Sequence, residues 1–415
     1  MVVTFGSCIP AYVKFQTPEF KALYDQVKPV RVNLNEDQEF QLQYNGTTYV
    51  IKKGGIHSTE KNRLIVAGDD LIEDADVGSQ YPNSIVKRNL YPSHLGPNWL
   101  VSYRKTIELR LLYKKKSNDP TLSKKERQKY KGLAEFLKLA LNGGGFGKTN
   151  ERNSWQYDPK VHFSCTIGNQ FEMLMLIEAL ELEGIHVISA NTDGIVCHYS
   201  KQKEGEYRKI CRWWEEIVGN TEMGKLEFSN YRMLVQTSVN DYIAIKDSGE
   251  IKKKGDFATS HELHKNKSRR IIPIALEKYF VSAIPVEQTI SGHSNLFDFC
   301  IGVKSSKNYH YKAIDQKTGA GSIYQGVVRY YVSQAGFKLL KVKNPDADGK
   351  GVKMQQCEAG TWYSTVVNEI SNFDTGNVNH DYYIQKARQI INAIENPVSK
   401  KRKIIVTDPN QLSLF

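Results

Sequence analysis

The sequence has no apolar run approaching the ~20 residues that a membrane-spanning helix needs. Its opening residues, Met1-Val2-Val3-Thr4-Phe5, lack the basic region and long apolar core of a signal peptide. The six cysteines form no C-x-x-C pair and no regular framework, which argues against a disulfide scaffold. Reduced thiols in a cytoplasmic setting, with no membrane partner, are expected. Internal repeats and low-complexity tracts are absent. Acid is in the minority, with 45 Asp and Glu against 57 Lys and Arg and a net charge of +12. That excess favours a polyanionic partner, the plainer reading being a soluble basic protein. The 415 residues suffice for two or three structural units around sizeable cores.

What is present centres on Asp76-Val77-Gly78-Ser79-Gln80-Tyr81-Pro82. These residues close a strand-like run, Leu71 to Val77, in which acidic and apolar residues alternate. Period-2 alternation puts Ile72, Asp74 and Asp76 on one face and Leu71, Glu73, Ala75 and Val77 on the other. Tyr81-Pro82 opens a helix expected over 83–88. A carboxylate at a strand end, beside a turn with free N–H groups, suits a cation and a polyphosphate together; the plain alternative is a surface Asp before a helix. Further on, two β-prone runs, His186 to Ala190 and Ile195 to Tyr199, flank Asn191-Thr192-Asp193-Gly194, a hairpin signal with Asp193 at the tip. Carboxylates on neighbouring strands suit two divalent ions about 4 Å apart, an arrangement that serves in-line phosphoryl transfer.

The intervening and flanking segments read as follows. A helix over Pro18 to Val27 precedes strands Glu39 to Tyr44 and Thr47 to Ile51, joined at Asn45-Gly46. Gly54-Gly55 with Lys53 and His57 suits close backbone approach to phosphates, or is an ordinary loop. Trp99 to Lys116 and a second helix from Ser123, with Glu126 completing a capping box, form a helical hairpin. Arg110 and Lys114 share a face on the first helix, and Lys131 and Lys138 on the second; a solvated charged face is the default for such patterns. Gly168 to Glu183 reads as a largely buried helix whose Met residues fill core. Lys252-Lys253-Lys254-Gly255 reads as a basic hairpin for phosphates. Helices are expected over Pro273 to Ala283 and Asp381 to Ile394.

D-x-x-S-x-Y-P at Asp76 followed by x-T-D-G at Asp193 resembles motifs A and C of phage-type family B DNA polymerases. Lys138-Leu139-Ala140-Leu141-Asn142 with Gly143 to Gly147 resembles the family's motif B, K-x-x-x-N-x-x-Y-G, with one extra residue and Phe146 in place of the Tyr. The first acid of the family's Y-G-D-T-D-S is Asn191 here. Gly54-Gly55 resembles, with Lys52 in place of the family's aromatic, the element that contacts the template. Only Tyr242 carries over from the family's K-K-x-Y.

The resemblance implies an α+β, right-hand polymerase core of antiparallel-sheet palm, helical-hairpin fingers and α+β thumb. Its boundaries are an N-terminal segment 1–60, palm 61–95 and 148–260, fingers 96–147, thumb 261–405 and a tail 406–415. It implies a template-directed DNA polymerase of phage replication, in a bacterial host's cytoplasm, extending a primer on primer–template DNA with deoxynucleoside triphosphates. Asp76, Asp193 and the Val77 carbonyl would hold two Mg2+ ions, with Mn2+ as substitute. Arg110, Lys114, Lys138 and Asn142, with Ser79 and Gln80, would bind the nucleotide, and Tyr81 would lie under the deoxyribose. Gly54, Gly55, His57, Gly147, Tyr242, Lys252 and Lys254 would contact DNA, and Glu227 is a weaker third carboxylate. The segment ahead of Asp76 is too short for the family's proofreading nuclease, a domain of ~100 residues or more, so the resemblance implies the polymerase portion alone, either naturally split, with a separately encoded exonuclease subunit as partner, or a homologue that lost the nuclease. Nor is there room between Asp76 and Lys138 for the insertion of protein-primed relatives, so a nucleic-acid primer is expected. Gln411-Leu412-Ser413-Leu414-Phe415 resembles the peptide by which bacterial polymerases dock onto a sliding clamp; an ordinary tail is the alternative. The rival to the enzyme is a catalytically inactive nucleic-acid-binding subunit retaining the fold. A reverse transcriptase would carry adjacent Asp-Asp in its metal motif, where this chain has Asn191-Thr192-Asp193.

Overall fold

A computed structural model describes residues 3–33, 35–220, 222–258, 268–324, 326–343, 354–356, 362–368 and 375–396. The peptide Gln411 to Phe415 and residues 259–267 lie outside the described residues. The chain divides into two compact units, Met1–Lys61 with Ile65–Lys252, and Asn62–Leu64 with Lys253–Phe415. Helices combine with antiparallel sheets throughout, an α+β architecture. The thumb boundary read from the sequence, at 260/261, falls several residues beyond this division.

In the first unit, α1 (Pro18–Val27) is followed by β1 (Glu39–Tyr44), β2 (Thr47–Lys52) and β3 (Ile56–Ser58), which form a three-stranded sheet. The β1–β2 turn is built on Asn45 and Gly46, both left-handed at φ 44° and 84°, as a tight two-residue hairpin turn demands. The main sheet comprises β4 (Arg63–Val66), β5 (Asp70–Val77), β6 (His186–Ala190), β7 (Gly194–Ser200), β8 (Leu226–Ser238), β9 (Asp241–Lys246) and β10 (Ile251–Lys254), in the order β10-β9-β8-β5-β7-β6 with β4 beside β8. Asp76 on the interior strand β5 stands opposite Gly194 on β7 and Glu227 on β8.

The alternation read along β5 is the one observed. Ala75 and Val77, with Ile195, Cys197 and Tyr199 of β7, enter a large core shared with the N-terminal segment. Ile72 and Val196 pack on the opposite face with Tyr231, Leu234 and Tyr242. The sheet therefore has one face in the core and another that carries Asp74 and Asp76.

Four helices follow the sheet's path: α2 (Gln80–Lys87), α3 (Asn98–Ser117), α4 (Lys124–Leu139) and α5 (Pro159–Leu182); α6 (Glu204–Ile217) comes between β7 and β8. The capping box is present, with the Ser123 side chain accepting from Glu126 N–H and Glu126 accepting from Ser123 N–H. Two starts differ from expectation. Helix α2 begins at Gln80 rather than 83, and α5 begins at Pro159 rather than Gly168. Asp158 sets the latter, its side chain accepting from Lys160 N–H at 3.1 Å with Pro159 in the first turn. Helix α5 is buried nearly all round, as a central helix must be, and its buried Glu172, Glu178 and Glu181 therefore need partners. Gly168 leaves room for the Arg88 guanidinium, which reaches Glu172 at 2.6 Å while Lys87 reaches it at 3.0 Å. Removing either partner of such a buried pair costs several kcal/mol (roughly 3–5). The cluster thus pins α2 on α5.

The second unit contains helices Ile271–Ser282, Val286–Ser291 and His380–Glu395 and a seven-stranded antiparallel sheet. Strand Val327–Ser333 buries Tyr330, Tyr331 and Val332, and Tyr383 O–H donates to the Phe299 carbonyl at 2.7 Å.

Candidate active site

The turn after β5 is tied to both neighbouring strands. Val77 N–H donates to Asp193 O at 2.7 Å, and Gly78 N–H donates to Lys225 O at 3.0 Å. A Cβ on Gly78 would stand 2.5 Å from Met223 O, so no side chain fits. Ser79 then takes the left-handed region, φ 46° and ψ 45°, which costs a non-glycine residue about 1–3 kcal/mol. Its hydroxyl does not cap α2; it accepts from Arg110 Nη1 at 2.8 Å. The first-turn N–H groups of α2 therefore have no side-chain cap, and Ser79, Gln80 and Tyr81 line a cleft.

The β6–β7 turn works differently from the Asp-Gly signal that located it. Neither Asp193 nor Gly194 is left-handed. Asn191 makes the turn: its Oδ1 accepts from Asp193 N–H at 3.1 Å and Gly194 N–H at 2.8 Å, while its N–H donates to Gly194 O at 2.9 Å. The amide in place of the resemblance's first acid is thus committed to the hairpin backbone. Gly194 is required because Asp76 Oδ1 lies over its Cα, where any Cβ would overlap it. Asp193 is exposed at the tip.

A cleft of about 420 Å³ gathers these parts. Val77, Thr192, Asp193 and Glu227 line it together with Arg110, Lys114, Lys138 and Asn142; Asp76 lies one residue behind Val77, on the strand that ends there. Three cations thus share a wall system with Asp193 and Glu227. Lys114 is 3.7 Å from Glu227, but both side chains are more than half exposed, so the pair contributes about 0.2–1 kcal/mol at most and leaves Lys114 available to a stronger anion. Gln80 Oε1, Arg110 Nε and Asn142 Oδ1 are shielded from solvent with no hydrogen-bond partner, a state that a bound polar ligand would relieve.

The extra residue in the glycine-rich segment has a structural home. After α4 the chain continues as a π-helical turn, Ala140–Phe146. A π-turn accommodates one more residue than an α-turn, so Lys138 and Asn142 ahead of the glycines still reach the cleft and Phe146 behind them still reaches Tyr81. The Tyr81 and Phe146 rings stack at 4.3 Å and 11°, and His162 stacks on Phe146 at 4.6 Å and 14°. Burial, and secondly the Asp193 charge, pushes Tyr81 up to about 12. Burial pushes His162 down to about 4, so the pile is uncharged at neutral pH.

The Gly54-Gly55 loop comes to the same place. A Cβ on Gly55 would overlap the Thr192 side chain, and Tyr81 O–H donates to Gly54 O at 3.4 Å. His57 is half-buried on β3, its pKa lowered by burial and by Lys52, with Asp193 acting in the opposite sense. Gly147 opens the short 3-10 helix that follows the π-turn.

Lys252 and Lys254 lie on the strand β10, which pairs with β9 as the second arm of the expected basic hairpin. Lys252 turns inward, with Nζ 2.6 Å from Asp74 Oδ2 and 3.6 Å from Asp76 Oδ2, and Tyr242 is buried beside it. Asp74 and Tyr231 were not singled out as site residues from the sequence, although the period-2 pattern placed Asp74 on Asp76's face. His162 has no signal in the sequence and Phe146 only its place in the glycine-rich motif, because a ring stack across distant segments leaves no local pattern.

Among the described residues, no three or more His, Cys, Asp or Glu side chains form a metal-binding group, and no helix is long and apolar enough to cross a membrane. Mg2+ needs no such group, because it usually binds through one or two carboxylates plus water and substrate phosphates. No protein-family model matches the chain, and no curated protein matches it. Among solved structures, the family B DNA polymerase from the hyperthermophilic archaeon Pyrobaculum calidifontis is similar over 92% of this chain and 50% of its own, at 16% identity and a TM-score of 0.43. The chain thus spans about half the length of that polymerase.

Proposed function

We propose that this chain is a template-directed DNA polymerase that extends a primer 3′ end with deoxynucleoside triphosphates. The observation that carries the reading is the single cleft in which Arg110, Lys114 and Lys138 meet the end of the Asp76 strand and the tip of the Asp193 hairpin. Cations for a triphosphate and carboxylates for its counter-ions belong together in phosphoryl transfer.

Asp76, Asp193 and the Val77 carbonyl would hold two Mg2+ ions, or Mn2+. When bound, these lower the pKa of the primer hydroxyl and neutralise charge developing on the transferring phosphoryl group and the pyrophosphate. The chain's own groups do the remaining work. Arg110, fixed by Ser79, grips the triphosphate with Lys114 and Lys138, and the uncapped first turn of α2 adds N–H donors. Tyr81, held flat on Phe146, forms a floor under the deoxyribose. The Gly54-Gly55 loop, His57, Gly147 and the basic strand with Lys254 are the proposed DNA contacts. A phage replication role, a separately encoded exonuclease subunit and a sliding-clamp contact through Gln411, Leu412, Ser413, Leu414 and Phe415 belong to the same reading.

Primer extension with Mg2+ on a DNA template tests it. The chain should extend the primer, and Asp76→Ala and Asp193→Ala should each abolish extension while primer–template binding stays within about threefold, because DNA affinity is spread over many phosphate contacts. Binding without extension by the unaltered protein, across metals and salt, would favour the inactive DNA-binding subunit instead.

A further inference from the structure

Asp74 is more deeply buried than the carboxylate two residues after it. Its side chain is 6% exposed against 35% for Asp76, on the same face of β5. A carboxylate so enclosed needs partners, and it has two: Asp74 Oδ2 accepts from Tyr231 O–H and from Lys252 Nζ. The same ammonium stands 3.6 Å from Asp76 Oδ2 and 5.7 Å from the centre of the Tyr231 ring. Asp76 Oδ1 lies over Gly194, and Oδ2 faces Lys252.

We infer that Asp74 and Tyr231 hold Lys252 as a built-in cation beside Asp76, and that these three are positioning residues which set how tightly Asp76 takes a divalent ion. The inference rests on the polymerase reading. Asp74 and Asp76 repel one another across one strand face, and the shared ammonium offsets that repulsion. It also opposes a second cation arriving at Asp76, so the divalent ion binds well only when further anionic ligands arrive with it, which is what a triphosphate and a primer terminus bring. The ion pairs at 2.6 Å to Asp74 and 3.6 Å to Asp76 keep the ammonium at this place.

The two charges make opposite predictions. Lys252→Met removes the competing cation and leaves two adjacent carboxylates, so Mn2+ should bind the free full-length protein about tenfold more tightly. Asp74→Asn releases Lys252 onto Asp76, so Mn2+ should bind about tenfold more weakly. The double variant should return to within about threefold of the unaltered protein, and Lys252→Arg, which keeps the charge, should lie in the same range. Tyr231→Phe, which loosens the clamp without altering charge and is the mildest change for folding, should weaken binding by about two- to threefold. Electron paramagnetic resonance of free Mn2+ gives the affinities, with Asp76→Ala defining the signal from this site. A merely structural role would lower melting temperatures without separating the Lys252 and Asp74 variants in opposite directions. Equal Mn2+ affinity in every folded variant, including Tyr231→Phe and Lys252→Arg, overturns the inference alone. Absence of Asp76-dependent Mn2+ binding together with absence of primer extension in the unaltered protein overturns the polymerase reading and this inference with it.

Discussion

Replacing Gly194 by alanine is expected to damage catalysis far more than folding. The backbone there is not left-handed, so alanine carries no conformational penalty of its own. The cost falls on what the new methyl meets: Asp76 Oδ1 directly, Asp76 Cγ at 3.2 Å and the Ala75 carbonyl oxygen at 3.0 Å. The Asp76 carboxylate is the movable member, and turning it roughly 30° from its rotamer costs about 0.5–1.5 kcal/mol. With some crowding of Ala75 the total is about 1–2 kcal/mol, or a fall in melting temperature of about 5 °C for a unit of this size. The same turn displaces the oxygen proposed to bind metal by about 1 Å, and misplacement on that scale costs about 100-fold in rate. Single-turnover primer extension at saturating Mg2+ and nucleotide should therefore fall about 100-fold while the protein still melts cooperatively. Gly46→Ala is the converse control. That residue is left-handed with open space around it, so alanine should cost about 1 kcal/mol of stability and leave extension unchanged. A Gly194→Ala enzyme with near-normal turnover would refute the link between this glycine, the Asp76 rotamer and catalysis.

Arg110→Ala should raise the nucleotide KM at least tenfold (about 1.4 kcal/mol of lost charge-assisted binding), with a smaller effect for the more exposed Lys114→Ala; equal KM values in both variants would contradict the placement of Arg110 beside Ser79. Deleting Gly144 should convert the π-turn to an α-turn and keep extension within about tenfold, whereas a rise of KM beyond that would show that the π geometry itself is needed. His162 is held neutral, its pKa near 4 against about 6.5 when unfolded, so the unfolded chain takes up the proton first. Its contribution to stability is full above pH 6.5 and falls as pH drops towards 4, by up to about 3 kcal/mol; His162→Phe should flatten the melting profile across that window, and an unchanged slope would rule His162 out as the source. Tyr81→Val should raise ribonucleotide incorporation more than it lowers deoxynucleotide use in competition assays, and unchanged sugar discrimination would remove Tyr81 from the floor of the sugar site.

How much of this was legible depended on whether each feature is local in the chain. The faces of β5, the left-handed Asn45-Gly46 turn and the Ser123 capping box follow from two- to four-residue patterns, and all three are observed. The start of α5 is readable too, since Asp158-Pro159 carries a helix-start signal, although the longer apolar run after Gly168 is the stronger pattern. The Asp193-Gly194 dipeptide gave the correct hairpin for an incorrect reason, because turn chemistry and a demand for space select the same residue. The inward course of Lys252 was not legible. A run of three lysines reads as solvated or phosphate-facing, and only folding brings the Lys252 ammonium to a buried Asp74. The Tyr81–Phe146–His162 stack was equally hidden, since its members come from three separate segments.

The position of β5 inside its sheet bears on how the protein would come apart. Residues Asp70 to Asp76 are paired with β7 and Ile72 to Val77 with β8, so amides along this strand exchange with deuterium only when the sheet opens cooperatively. The tip carrying Asp193 is exposed and depends on a few hydrogen bonds around Asn191. Local opening therefore reaches one carboxylate long before the other. Mild denaturant should silence the enzyme while the circular dichroism signal of the sheet is still intact, and deuterium should enter Thr192 and Asp193 under conditions that leave Ala75 and Asp76 protected.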